Sequence, residues 1–235
     1  MFLNKKNETP TRIKARLVAG GNQQDKTLYE DVSSPTAATA SIMAIAAIAA
    51  KEGRHVRTMD VGGAFLNAKM DTGVTVHVRL SGYVAALILK KYPKYLPYAN
   101  KKGELVVRLN RAMYGCIEAG LCWFRDIKGE LERNGYTHNP YDPCVFNKGV
   151  SPNQATVGLH VDDLKCTAAR DSDLDELETA LTKRYGRLTV HKERIHNYLG
   201  MRMDYTVDGQ VKITMQKYVE SILEECGVEG VAKTC

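Results

Sequence analysis

Long hydrophobic runs are missing from this sequence. The most apolar stretch, Ala37 to Ala50, is Ala-rich and only 14 residues long, whereas a membrane-spanning helix needs about 20. The opening residues, Met1 to Pro10, are polar and contain no apolar h-region, so no signal peptide is evident. The six cysteines, at 116, 122, 144, 166, 226 and 235, include no C-x-x-C pair. That excludes a zinc knuckle and argues against a secreted disulfide framework, which leaves reduced thiols in an intracellular compartment as the expectation. The six histidines show neither H-x-x-H nor H-E-x-x-H spacing, so none is assigned to a metal. No internal repeat and no low-complexity linker divides the chain.

What is present is an ordinary globular composition. Hydrophobic residues make up 44% and charged residues 26% of 235 residues, enough for one large domain or two small ones with a sizeable core. Lys and Arg total 33 against 27 Asp and Glu, a net charge of +6 that is compatible with a polyanionic partner without demanding one.

One stretch resists this ordinary reading. Leu159-His160-Val161-Asp162-Asp163-Leu164 puts two adjacent carboxylates inside an apolar run from Thr156 to Cys166. Asp disfavours strand, and burying an unpaired carboxylate costs several kcal/mol, so the pair belongs at a hairpin turn. Two readings are open for such a turn: an exposed loop without chemistry, or a site for a hard cation such as Mg²⁺, which takes oxygen ligands.

The surrounding elements favour the second. A strand at 55–59 ends in Asp60, a helix is expected over 118–134, strands over 156–160 and 164–168 flank the Asp pair, and a helix over 172–185 precedes a strand at 188–190. That order is β-α-β-β-α-β, the split arrangement of ferredoxin-like sheets. There the third strand lies between the first two, which brings Asp60 beside Asp162 and Asp163. Three carboxylates at one edge, with Lys14 and Arg16 as available basic residues, can hold two divalent ions about 3.5–4 Å apart, the clamp used for in-line displacement at phosphorus. Elsewhere, Ser33-Ser34-Pro35-Thr36 reads as the start of a helix running to Lys51. Val61 to Leu66 reads as a glycine-rich loop. Tyr198 to Tyr205 and Val211 to Thr214 read as strands around an Asp208-Gly209 turn, and a last helix spans about 216–225. The Lys90 to Tyr98 stretch reads as surface; Lys90, Lys91, Lys94, Lys101 and Lys102 form either a solvated face or a track for template phosphates.

These residues resemble a known family. Lys14-Ala15-Arg16-Leu17-Val18-Ala19-Gly20-Gly21-Asn22-Gln23-Gln24 is similar to K-A-R-L-V-A-x-G-x-x-Q, and Met59-Asp60-Val61-Gly62-Gly63-Ala64-Phe65-Leu66-Asn67 to M-D-V-x-x-A-F-L-N. Leu109 to Trp123 follows L-x-x-x-L-Y-G-x-x-x-A-x-x-x-W, Val161-Asp162-Asp163-Leu164 sits where Y-V-D-D-M occurs, and Tyr198-Leu199-Gly200 stands for F-L-G. Five patterns in this order resemble the reverse transcriptase domain of Ty1/copia-type LTR retrotransposon polyproteins.

The resemblance implies an α+β polymerase palm with a ferredoxin-like βαββαβ core, an antiparallel sheet with helices on one face, a partial fingers subdomain and the start of a thumb. It implies partial fingers and a first helix over 1–54, a palm over 55–205 with a fingers-type insertion at about 67–110, and a palm–thumb hairpin with a first thumb helix over 206–235. It implies RNA- and DNA-directed DNA synthesis with two Mg²⁺ or Mn²⁺ ions. Asp60 and Asp162 would ligate the metals with the Val61 carbonyl, and Asp163 would add charge. Gly63 and Ala64 amides would face the triphosphate, Phe65 would be the steric gate against a ribose 2′-OH, and Lys14 or Arg16 would neutralise the triphosphate. Glu118 stands where many members have Gln beside the nucleotide, and His160, with Val161 at the primer end, replaces Tyr. Lys192 or Arg187 would be the general acid toward pyrophosphate.

The implied partners are an RNA or DNA template-primer, deoxynucleoside triphosphates, and the integrase and RNase H modules of a parent polyprotein, with no membrane. The implied location is cytoplasmic, nuclear or inside virus-like particles. Without the resemblance, Phe65 reads as core. The rival function is a catalytically inactive, truncated retroelement relic that at most binds nucleic acid.

Overall fold

The computed structural model describes residues 2–6, 12–186 and 188–227, with 2–6 and 12–16 described by their backbone alone. In chain order the elements are β1 (Phe2–Lys6), β2 (Arg12–Arg16), α1 (Thr39–Lys51), β3 (His55–Val61), α2 (Ala64–Asn67), β4 (His77–Leu80) and α3 (Gly82–Lys91). There follow β5 (Leu105–Arg108), α4 (Ala119–Arg133), β6 (Thr137–Asn139), β7 (Asp142–Lys148), β8 (Ala155–His160), β9 (Asp163–Ala168) and α5 (Asp171–Tyr185). The last are β10 (Leu188–His191), β11 (Ile195–Tyr198), β12 (Met201–Asp204), β13 (Lys212–Thr214) and α6 (Gln216–Glu225). The chain divides into two compact units, Met1–Ser34 with Gly63–Lys128, and Pro35–Gly62 with Gly129–Cys235.

The second unit is built on a six-stranded sheet of order β10-β3-β9-β8-β7-β6, every neighbouring pair antiparallel. Its first four strands are the expected βαββαβ sheet, and the β6–β7 hairpin extends it beyond β8. Strand β9 is central and buried from Leu164 to Ala168, with Leu164, Cys166 and Ala168 completely buried. Alternation assigns Arg57, Cys166 and Val157 to one face, since Arg57 pairs with Cys166 and Cys166 with Val157. Helix α5 covers that face with Leu174, Leu177 and Leu181. Gly158 belongs to the other face, where α1 lies: a Cβ at Gly158 would come within 2.8 Å of Ile42 Cδ1 and 3.1 Å of Ile45 Cδ1. The absence of a side chain there lets the Ala-rich helix approach the sheet.

Helix α1 begins at Thr39, three residues after the expected start at Thr36. Ser33 and Ser34 do not cap it; instead Asp142 of β7 accepts a hydrogen bond from the Ala38 amide at 3.0 Å. A carboxylate 104 residues away in sequence satisfies the open amide that a local serine was expected to satisfy. A second three-stranded sheet, β11-β12-β13, follows the main one. The strand expected over Tyr198 to Tyr205 is split by a tight turn at Leu199 and Gly200, whose φ angles are 50° and 77°. Both central residues of a two-residue turn of this kind take positive φ, a conformation glycine adopts freely and leucine rarely.

The first unit has less regular structure. β1 pairs with β2, and β4 with β5. Two loops meet backbone to backbone: the Ala19 amide donates to the Tyr114 carbonyl at 2.7 Å, and a Cβ on Gly21 would lie 1.9 Å from the Gly115 carbonyl oxygen. Only glycine permits that approach. It joins two of the recognised patterns, at 14–24 and 109–123.

A candidate polymerase centre on the edge of the six-stranded sheet

Of the Asp162-Asp163 pair, expected together at a turn, Asp162 lies in the β8–β9 turn and Asp163 is the first residue of β9. β8 ends at His160 and β9 begins at Asp163, so Val161 and Asp162 alone make the connection. Val161 has φ of 57°, costly for a β-branched residue and of the kind that persists where surrounding structure holds it. The Val61 amide donates to the Asp162 carbonyl at 3.3 Å, which fastens the turn to the end of β3.

The register then assembles the three carboxylates. Asp60 of β3 lies directly opposite Asp163 of β9, and His160 opposite Asp163 from the other side. Direct partners share a face, so Asp60 and Asp163 are cross-strand neighbours, the arrangement in which like charges repel. All three are half-buried. Burial and then the negative charges of Asp162 and Asp60 hold the Asp163 carboxyl above the ordinary carboxylate range, with His160 opposing them. The Nδ1 of His160 is buried with no hydrogen-bond partner among the described residues.

Behind this edge lies a group that the motifs did not disclose. The Tyr198 hydroxyl reaches the carbonyl oxygens of Asp163 at 3.3 Å and of Gly158 at 3.4 Å, joining β11 to the β8–β9 hairpin. Lys165, two residues along β9 from Asp163, is completely buried, and its Nζ stands over the Tyr198 and Tyr205 rings at 5.9 and 5.2 Å. Burial lowers its pKa to about 8. A lysine inside the apolar run 163–168 was the visible signal.

Residues of the first unit are arranged as follows. Val61 still belongs to β3, and the expected loop after it turns at Gly63, whose φ of 67° leads directly into the short helix α2. Ala64 is buried; Phe65 is half-buried and rests on Tyr114 with ring centroids 4.4 Å apart. Glu118, which the resemblance sets beside a nucleotide, is paired inside the first unit. It is fully buried, and its two carboxylate oxygens accept hydrogen bonds from Gln24 Nε2 at 2.9 Å and the Tyr29 hydroxyl at 2.8 Å. Burial, followed by this carboxylate, pushes the Tyr29 phenol up to about 12. Gln24 also accepts from the Ile117 amide at 2.8 Å, so the Glu is used to tie 24–29 to the start of α4.

Lys14 and Arg16 lie in β2 opposite Asn4 and Phe2; their side chains are outside the described residues, as is Arg187. Lys192 is engaged by Glu178 at 2.9 Å and Asp175 at 3.7 Å.

Comparison with known proteins matches this picture. The whole chain, residues 1–235, matches the family described as reverse transcriptase (RNA-dependent DNA polymerase), and the chain belongs to that family. Its relatives include the Retrovirus-related Pol polyprotein from transposon TNT 1-94 of Nicotiana tabacum, 26% identical over 222 residues, which are 93% of this chain and 15% of the relative. Two Pol polyproteins of Arabidopsis thaliana, from transposons RE1 and RE2, are 24% and 26% identical over 213 residues, covering 90% of this chain and 13% of each relative. The expected Ty1/copia-type resemblance is thereby borne out, and the chain spans about one-seventh of the polyproteins it matches. A solved structure of apo telomerase from Candida tropicalis, truncated from its C-terminal domain, is similar at a TM-score of 0.39 and 11% identity, over 76% of this chain and 40% of that one. No helix among the described residues is long and apolar enough to cross a membrane.

Proposed function

We propose that this chain is the catalytic part of a retrotransposon reverse transcriptase, adding deoxynucleotides to a primer 3′-OH under the direction of an RNA or DNA template. The observation that carries the reading is the alignment of Asp60 with Asp163 across β3 and β9, with Asp162 in the intervening turn. Three crowded carboxylates, one with its pKa raised by burial and then by the other two, form a donor set of hard oxygens suited to Mg²⁺ or Mn²⁺. Among the described residues no group of three or more His, Cys, Asp and Glu side chains stands in metal-holding geometry.

Asp60 and Asp162 would hold the cations together with the Val61 carbonyl, and Asp163 would contribute negative charge beside them. Two bound divalent ions supply activation of the attacking oxygen and neutralisation of the leaving pyrophosphate. The protein's own share is positioning: the β8–β9 turn and the end of β3 fix where the carboxylates stand, and His160 and Val161 lie where the primer end is expected. Lys14, Arg16, Gly63, Ala64 and Phe65 keep the nucleotide-binding roles that the resemblance implies, with the Tyr114 ring stiffening Phe65 for a gate. The partition proposed with this function is partial fingers and the first helix over 1–54, palm over 55–205 with a fingers-type insertion at about 67–110, and a palm–thumb hairpin with a first thumb helix over 206–235. Integrase and RNase H modules would be encoded in the same polyprotein.

Primer extension on an RNA or DNA template with Mg²⁺ or Mn²⁺ tests this directly. Extension by the wild-type chain that is lost in Asp162→Asn is the expected result. Extension unchanged in that variant would overturn the mechanism, and template binding without extension in the wild type would favour the relic.

A further inference from the structure

The net charge of this chain is concentrated in one place. No acidic residue occurs between Asp71 and Glu104, while that interval holds Arg79, Lys90, Lys91, Lys94, Lys101 and Lys102. Without these six, the remaining 27 Lys and Arg equal the 27 Asp and Glu, so the whole excess of +6 resides here. The interval lies within the first unit.

Its second peculiarity is exposed aromatic surface. Every residue from 90 to 98 is exposed, including Tyr92, Tyr95 and Tyr98, the last at 76%. After α3 the chain makes a 3₁₀ turn over Pro93–Tyr98, stiffened by Pro93 and Pro97. Tyr92 and Tyr95 stand edge to face with centroids 6.3 Å apart. The Lys91 ammonium lies 5.5 Å from the Tyr92 ring and the Lys94 ammonium 5.1 Å from the Tyr95 ring. The next turn is fixed by Asn100, whose Oδ1 accepts from the Lys102 and Glu104 amides, each at 2.9 Å, so Lys101 and Lys102 are carried on an ordered corner.

Exposed rings alternating with ammonium groups complement a ligand that alternates flat π faces with negative charges. Single-stranded nucleic acid is such a ligand, since its bases are open to stacking and its phosphates recur between them. A duplex hides those base faces. An anionic membrane would be met by cations spread along a helix flank, whereas in α3 they sit at the C-terminal end, Lys90 and Lys91. We infer that the segment from Lys91 to Lys102 binds single-stranded nucleic acid, with Tyr92, Tyr95 and Tyr98 as stacking platforms and Lys91, Lys94 and Lys101 on the phosphates. The inference does not depend on the polymerase reading and holds whether or not the chain extends a primer.

Fluorescence anisotropy of a labelled oligothymidylate, titrated with the full chain at several salt concentrations, measures this contact. Tyr95→Ala with Tyr98→Ala is expected to weaken binding by roughly fivefold or more per ring. Lys91→Ala, Lys94→Ala and Lys101→Ala together should flatten the slope of log affinity against log salt by about 0.7 per lysine. Lys51→Ala with Lys217→Ala, exposed lysines of the second unit, should leave binding unchanged. Should a combined variant unfold, the single Lys94→Glu on an exposed side chain is expected to give the same weakening.

The inference is overturned if these variants, melting like the wild type, bind the oligonucleotide as tightly as it does. It is overturned equally if a duplex binds as tightly and ignores the tyrosines, or if vesicles of anionic phospholipid bind the chain while the oligonucleotide does not.

Discussion

Strand β3 carries charge in opposite ways at its two ends. At its start Arg57 is 1% exposed, and its guanidinium meets Asp171 at 2.6 Å, Glu178 at 2.7 Å and Asp175 at 2.8 Å, all from α5. Three residues later Asp60 faces Asp163 with Asp162 beside them, and burial, then the charges of the other two, hold the Asp163 carboxyl above its ordinary range. A buried cation surrounded by acids stabilises a helix on a sheet; acids crowded against acids destabilise the fold and create a demand for cations. The contrast separates a residue that holds architecture together from residues to which the proposed function assigns chemistry, although both are ionisable groups on one strand.

The sharpest way to break that contrast is Asp60→Asn. Primer extension should fall on the order of a thousandfold or more, while the thermal midpoint should stay level or rise because repulsion at the edge is relieved. A drop in both would assign Asp60 to architecture. Arg57→Met should do the reverse, lowering stability by about 3 kcal/mol in urea unfolding as the buried member of the cluster is lost. Its partners Asp171 and Asp175 are mostly exposed, at 53% and 60%, so water takes up part of that loss.

The smallest effect concerns the residue between them. Thr58 Oγ1 lies 3.4 Å from Nδ1 of His196, which is 1% exposed. Burial, then the nearby Lys165, lowers the His196 pKa from 6.5 to about 4; His191 adds to this and Glu193 opposes it. The folded chain therefore keeps His196 neutral where the unfolded chain takes up a proton. The resulting stability is present above pH 6.5 and is lost as pH falls from 6.5 toward 4, roughly 2 kcal/mol of it by pH 5. His196→Gln should remove this loss, seen as a smaller difference between unfolding midpoints at pH 7.5 and pH 5. An unchanged pH dependence would show that other groups carry it.

Much of the fold was legible because its elements announce themselves locally. Leu174, Leu177 and Leu181 have helical spacing, the Asp162-Asp163 pair marks a turn, and Asp208-Gly209 is a hairpin signal. From those the βαββαβ order followed, and with it the meeting of Asp60 and Asp163. The partners of Glu118 were not legible, because its position in a pattern says nothing of Gln24 and Tyr29, which close over it from 94 and 89 residues away. Leu199 was placed inside a strand because leucine gives no hint of a positive φ.

The sequence by itself determined the family, the order of the patterns and the identity of the three carboxylates, since each rests on residue type and short spacing. Tertiary structure alone decided that Asp142 caps α1, that Gly21 touches Gly115, that Arg57 gathers three acids and that Tyr198 braces the carbonyl of Asp163. Each of these joins residues far apart in the chain, and their distances are set by how the sheet and its helices pack.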